Sequence, residues 1–171
     1  MAADGYFPIE TISGAATSYS FTSIPGDFTD LILRGEVDTS AATLYTYTLG
    51  MIFNGDTSST YDSCIFRQRG ADTPEGYIST ETGEASFLNI GGGSFNTAGF
   101  FECDIYGYSN SARYTFFRCF NGWSGFGQAD KSIAGVYGGQ WRNTAAVTSI
   151  TTNNYSAPFG SGTSITLYGR T

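Results

Sequence analysis

Acid–base chemistry in this chain falls chiefly to carboxylates. There are 15 Asp and Glu residues, no His, and only 8 Lys and Arg, with Lys131 the sole lysine. Without His, neither a Ser-His-Asp nor a Cys-His nucleophilic arrangement can form within the chain. Gly160-Ser161-Gly162 is not a nucleophile elbow, which needs Gly-x-Ser-x-Gly between a strand and a helix. Neither a phosphate-cradling loop ending in Lys-Ser or Lys-Thr nor a dinucleotide fingerprint is present. Two acids alone can hydrolyse a glycoside when they lie about 5 to 10 Å apart in a cleft. By numbering, the pairs to weigh are Asp56 with Asp62 and Glu81 with Glu84. All four sit among Ser, Thr and Gly, so they read as solvated turn residues. Asn54-Gly55-Asp56 is a turn signature before it is a calcium site, and EF-hand spacing is absent.

The three cysteines, Cys64, Cys103 and Cys119, are odd in number and widely spaced. That pattern suits neither a disulfide framework nor a zinc site, and it reads as buried free thiols. Trp123, Phe126, Trp141 and the tyrosines could instead form a platform on which a sugar ring stacks. Trp141 leads into a strand and reads as core or interface. Trp123 and Phe126 lie in the Gly-rich segment 121–127 and are candidate partner contacts. Tyr6 and Phe7 are the other two candidates, as anchors behind a possible N-terminal arm of residues 1–5. No catalytic, cofactor-binding or metal-binding residue is assigned, and the chain reads as a non-enzyme.

The elements that must carry these groups are strands. Phe28–Val37, Leu44–Phe53, Ser63–Arg69, Phe100–Tyr106, Tyr114–Phe120, Lys131–Tyr137, Ala146–Thr152 and Thr163–Tyr168 are rich in β-branched and aromatic residues. Gly, Asn, Asp, Ser and Pro punctuate them every dozen or so residues, which predicts an antiparallel sandwich or barrel. No helical segment longer than about ten residues is evident. One hairpin can be set in register around the turn-forming segment Tyr108–Ala112. Cys103 then faces Cys119 and Ile105 faces Phe117 on one side, while Asp104 faces Arg118 and Tyr106 faces Phe116 on the other. In that register a Cys103–Cys119 bond is geometrically open.

Composition bounds the rest. At 171 residues with 16% aromatics, the chain suits one β-sandwich domain, residues 1–171, with ample apolar area for a core. A net charge of −7 disfavours nucleic-acid binding by charge. No run of about 18 apolar residues marks a membrane helix, and Met1–Thr11 does not read as a secretory signal.

Two stretches resemble a family of tailed-bacteriophage virion structural proteins. Tyr6–Gly35 contains PIETISG and SYSFTSIPGDFTDLILRG. Trp141–Gly169 reads WRNTAAVTSITTNNYSAPFGSGTSITLYG, with a Trp-x-Asn start, a Val-Thr-Ser-Ile strand and a Leu-Tyr-Gly close. The loop Phe159–Thr163 departs slightly from the family's spacing. Together the stretches span about one third of the chain. FNGD at Phe53–Asp56 and the strand holding Asp104, Ile105 and Tyr106 match more loosely.

The resemblance implies an antiparallel β-sandwich of jelly-roll type assembled on a phage particle, without a catalytic site or cofactor. The function expected first is capsid decoration: a cement protein on the outer shell, made in the host cytoplasm. Its partners would be the major capsid protein and copies of itself, as a trimer or dimer. The alternative is a tail- or head-fibre component, or a receptor-binding module for host glycans. No nucleic acid or membrane is expected as a partner.

Overall fold

The computed structural model describes residues 5–38, 46–70, 72–91, 98–123, 132–154 and 157–171. Its elements are β1 (Tyr6–Ser13), β2 (Ser18–Phe21), β3 (Asp30–Val37), β4 (Thr46–Phe53), β5 (Tyr61–Arg69), β6 (Glu75–Thr82), β7 (Ala85–Gly91), β8 (Gly99–Tyr106), β9 (Thr115–Trp123), β10 (Ile133–Trp141), β11 (Ile150–Asn154) and β12 (Ser164–Arg170). There is no helix among the described residues. All strand pairs are antiparallel. One sheet has the order β1-β12-β3-β8-β9-β10-β5-β6 and the other β2-β11-β4-β7.

The expected jelly roll is visible in this order. Without β5, β6, β9 and β10, the remaining eight strands divide between the sheets as β1-β12-β3-β8 and β2-β11-β4-β7, the chain changing sheet at every step but β4 to β7. That arrangement is the double Greek key of a jelly roll. The other four strands are two insertions, one between β4 and β7 and one between β8 and β11. They pair with each other and widen the first sheet beyond β8. β7, in the small sheet, crosses over β5, β8, β9 and β10 and ties the extension to the sandwich.

Alternation explains which side of each strand is buried. In β9, Thr115, Phe117, Cys119 and Trp123 point inward, while Phe116, Arg118 and Phe120 point out. The interior holds Phe21, Leu31, Leu33, Leu49, Met51, Phe53, Phe87, Phe101, Ile105 and Leu167, all essentially inaccessible. Each such side chain stabilises the fold by about 1.5–3 kcal/mol relative to exposure. Phe87 meets Phe101 edge to face across the sandwich, with centroids 5.4 Å apart.

The β8–β9 hairpin has the register expected from its sequence. Cys103, Asp104, Ile105 and Tyr106 oppose Cys119, Arg118, Phe117 and Phe116. Its turn is set by Gly107 at φ 67° and by the Asn110 side chain, which accepts from Ala112 N at 2.8 Å. Tyr108 in this turn is buried. Its hydroxyl donates to Pro25 O at 2.5 Å and accepts from Phe28 N at 3.2 Å.

The cysteine expectation is corrected. Cys103 and Cys119 face one another on adjacent strands, with Cα atoms 4.0 Å apart, and are joined as a disulfide. Cys64 is free but exposed rather than buried. Count and spacing address disulfide frameworks; here register alone brings two inward-facing cysteines together.

Strands β1, β2, β6 and β7 lie outside the eight segments that the sequence marks as strands. β1 and β6 are sheet edges with mostly exposed residues and β2 is an edge of only four residues, so they lack the long apolar runs that mark central strands. Other boundaries move by a few residues, and β10 runs on to Trp141 because Gly138 and Gly139 still pair with Cys64 and Ser63.

Two adjacent glycines in β10 test which side is packed. A Cβ on Gly139 would collide with Asp62 O and the Phe117 ring; on Gly138 it would meet only Phe117 O, at 3.6 Å. Gly139→Ala is therefore expected to cost about 2–3 kcal/mol. Gly138→Ala should change stability by less than about 0.5 kcal/mol. Denaturant midpoints of the two variants measure both.

Candidate functional site

The acidic pairs raised by the sequence are structural. Asp56 is partly buried and accepts from Ser58 N at 3.0 Å, Thr60 Oγ1 at 3.2 Å, Trp141 Nε1 at 2.8 Å and Asn143 Nδ2 at 3.5 Å. Burial alone would raise its pKa, but donation from Ser58, Trp141 and Asn143 outweighs that and holds it at about 2. Asn54 and Gly55 form the expected turn, at φ 53° and 67°. The Asn54 side chain also reaches segment 146–149, accepting from Thr148 N at 2.8 Å and Ser149 N at 3.1 Å. Asp62 accepts from Gln140 Nε2 at 2.9 Å and pairs with Arg142, interactions that lower its pKa. Both aspartates thus fasten the end of β10 and the segment after it.

Glu84 departs from the sequence reading. It is 7% exposed, not a solvated turn residue. Its carboxylate lies over Gly50, where a Cβ would strike it, and Oε2 has no hydrogen-bond partner. Burial raises its pKa, with a hydrogen bond from Asn153 opposing. Glu81 is exposed at the end of β6, and its backbone N donates to Asp62 at 3.2 Å. The linear sequence hid the difference because Gly83 turns the chain between β6 and β7.

The aromatic candidates separate. Trp123 is the last residue of β9, faces inward and is 7% exposed, so it offers no platform for a sugar. Phe126 lies outside the described residues, as do residues 1–4 of the possible arm. Tyr6 and Phe7 start β1, are both exposed and point to opposite faces of the sheet. Phe7 stacks on Phe28 at 6.2 Å. Trp141 is core, packed on Phe53 and Tyr61.

The exposed apolar surface lies elsewhere, on the outer face of the widened sheet. Four cross-strand rows run over β8, β9, β10 and β5. In order they are Tyr106-Phe116-Gln140-Asp62, Asp104-Arg118-Gly138-Cys64, Glu102-Phe120-Val136-Phe66 and Phe100-Gly122-Ala134-Gln68. β6 adds Ile78 beside Cys64 and Gly76 beside Phe66. Ile78 is 72% exposed, Phe100 68% and Phe66 59%; Phe116, Phe120 and Val136 are also exposed. Four phenylalanines, each carrying 150–250 Å² or so, leave on the order of 400 Å² of aromatic surface in water. That is within the range of the largest apolar patch on a typical monomer, which is often functional.

Charges on this face are paired. Arg34 Nε donates to Glu102 at 2.7 Å. Asp104, itself buried, accepts from Arg118 at 2.9 Å and Arg170 at 3.2 Å. Arg170 also pairs with Asp30 at 2.5 Å, which together with Asp104 raises its pKa. The Arg118 guanidinium lies 5.2 Å from the Phe120 ring centre and 5.9 Å from that of Tyr106. Two depressions flank the aromatics. A trough of about 630 Å³ lies over β12, β3 and β8, between Tyr168 and the rings of Phe100 and Phe120. A groove of about 330 Å³ has Gly138 as its floor, between Phe116 and Ile78.

The sequence names Asp104, Arg118, Tyr106 and Phe116 as one side of a hairpin, but it marks none of the exposed phenylalanines of this face as a partner contact. A signal was present: β9 carries phenylalanines at both parities, Phe116 and Phe120 outward with Phe117 inward. An antiparallel strand with one wet face alternates cleanly. Among the described residues, the acids of this face are bound by arginines.

Asp56 and Glu84 titrate with opposite consequences. Asp56, held below its ordinary 3.8, stabilises the fold above about pH 4, and that contribution is lost as pH falls toward 2. Glu84, raised above its ordinary 4.5, costs stability as pH climbs past that value. Asp56→Asn should lose about 1–2 kcal/mol at pH 7, a loss that shrinks from about pH 4 downward and closes only below about pH 2. Glu84→Gln should gain about 1 kcal/mol at pH 8, a gain that closes near pH 4. Thermal melts across that range check both signs.

No protein-family model, curated protein or solved structure matches the chain.

Proposed function

We propose that this chain is a non-enzymatic structural protein of a tailed-bacteriophage virion, a decoration or cement protein that sits on the outer capsid surface and stabilises the shell. The observation that carries this reading is the exposed apolar face of the widened sheet, with its charges already paired. A protein that keeps four phenylalanines, Val136 and Ile78 in water is built to assemble, because covering them repays association.

The resemblance at the two ends supports the same reading. Tyr6–Gly35 supplies β1, β2 and most of β3, and Trp141–Gly169 supplies β11 and most of β12. In the fold these are neighbours, β1-β12-β3 in one sheet and β2-β11 in the other. The familiar motifs therefore describe one contiguous half of the jelly roll, not two unrelated termini. A net charge of −7 would keep such a protein from adhering to DNA.

A fibre-borne, glycan-binding role is the second reading. It no longer has Trp123, but the trough between Tyr168, Phe100 and Phe120 supports it. Aromatic rims, the Arg34–Glu102 pair and the nearby Ser164 and Thr166 hydroxyls are chemistry a sugar could use.

Cryo-electron microscopy of the particle that carries this chain separates the two. Density for it in many copies on the capsid lattice is the expected result. Density only at the tail or at fibre tips would overturn decoration and favour the glycan reading.

A further inference from the structure

We propose that the outer face of the widened sheet binds a second copy of this chain, face to face, about a two-fold axis that crosses the strands at the level of Tyr137. This rests on the reading above of the face as an assembly surface, and it names the occupant.

The sizes of the outward side chains carry the assignment. An axis lying in the interface and running across the strands exchanges the second row with the third and the first with the fourth. Val136 then lies over Gly138 of the other copy, and Phe116 over the Phe100 ring, which covers Gly122. On the flank, Ile78 lies over Gly76 and Phe66 over Cys64. Phe120 comes over Arg118, a guanidinium that already lies against aromatic rings in its own chain. In the two middle rows and on the flank a bulky group meets a glycine, a small side chain or a flat cation, apart from Glu102 over Asp104; in the outer rows Phe100 meets Phe116 and Tyr106 ring to ring. Ridge and groove are one row apart on the same surface, so two copies interlock as a sandwich of sheets does.

Two chains of net charge −7 repel, but this face has its acids bound: Glu102 by Arg34, and Asp104 by Arg118 and Arg170. Five strands at ~4.8 Å spacing and four rows at ~6.8 Å give a plan area of about 650 Å². A standard interface buries about 800 Å² per partner.

The test is an exchange of knob and hole. Gly138→Val puts a knob against Val136 of the mate, and Val136→Gly puts a hole against Gly138. Each single variant should weaken the dimer at least tenfold. The double variant Val136→Gly/Gly138→Val recreates the match and should restore it. Size-exclusion chromatography with light scattering over a dilution series reads the state of the 18.3 kDa chain. Thermal melts confirm that each variant is folded; the Gly138 side is open, with only Phe117 O at 3.6 Å from a Cβ. A wild-type chain that stays monomeric at every concentration overturns the proposal, as does a dimer indifferent to all three variants. Rebinding to stripped particles keeps the two readings apart. A monomer that still decorates them sinks the pairing alone; a dimer absent from the particle sinks the virion role alone.

Discussion

A mismatch in width governs this structure: eight strands in one sheet and four in the other. A jelly roll closes its core with four strands on each side. Adding β9, β10, β5 and β6 to one side only makes a surface that the fold must bury inwardly without a matching partner sheet. β7 supplies much of that cover by crossing the extension, and large side chains such as Tyr61, Tyr137 and Trp141 fill the space beneath. The insertions also double the outer face of the sheet, and it is on this added area that the apolar residues collect.

The interior tolerates polar groups where they fasten insertions to the jelly roll. Asp56 receives the Trp141 indole and the hydroxyls of its own turn, so the start of β5 and the end of β10 are held at one point. Asn54 does the same for the segment leading to β11. Tyr108 binds the β8–β9 turn to the loop before β3. The Asp56 and Tyr108 bonds are half-buried in the sandwich, where leaving a donor unmet costs about 1–3 kcal/mol; those of Asn54 lie at the surface. Glu84 is the exception, a carboxyl folded over Gly50 with one oxygen unpaired.

The outer face follows a different rule. Its ions are mutually satisfied and its bulky residues alternate with glycines along and across the strands. Gly122, Gly138 and Gly76 are weak strand formers, and nothing in strand stability asks for them at these outward positions. Gly138 and Gly76 leave depressions beside Val136, Phe116 and Ile78, while the Phe100 ring lies over Gly122. A surface of this texture gains from a facing surface of the same texture, which connects the assembly role proposed for the protein to the way its insertions are built.

The sequence by itself determined that the chain is all-β, where most central strands lie, and how β8 pairs with β9. Those are local facts: β-favouring residues, turn residues, and a cross-strand match of Asp104 with Arg118. It also determined that no His-based chemistry is available. Tertiary structure decided the rest. Alternation says that Phe116, Arg118 and Phe120 share a side, not which side faces water, because that depends on where the second sheet lies. Trp123 looked like a loop residue among glycines and turned inward because β9 extends through Gly122. Glu84 was buried by the turn at Gly83, and Cys103 was bonded to Cys119 by register rather than spacing. The widening of one sheet joins segments distant in sequence, such as β10 with β5, and non-local pairing of that kind leaves no local mark.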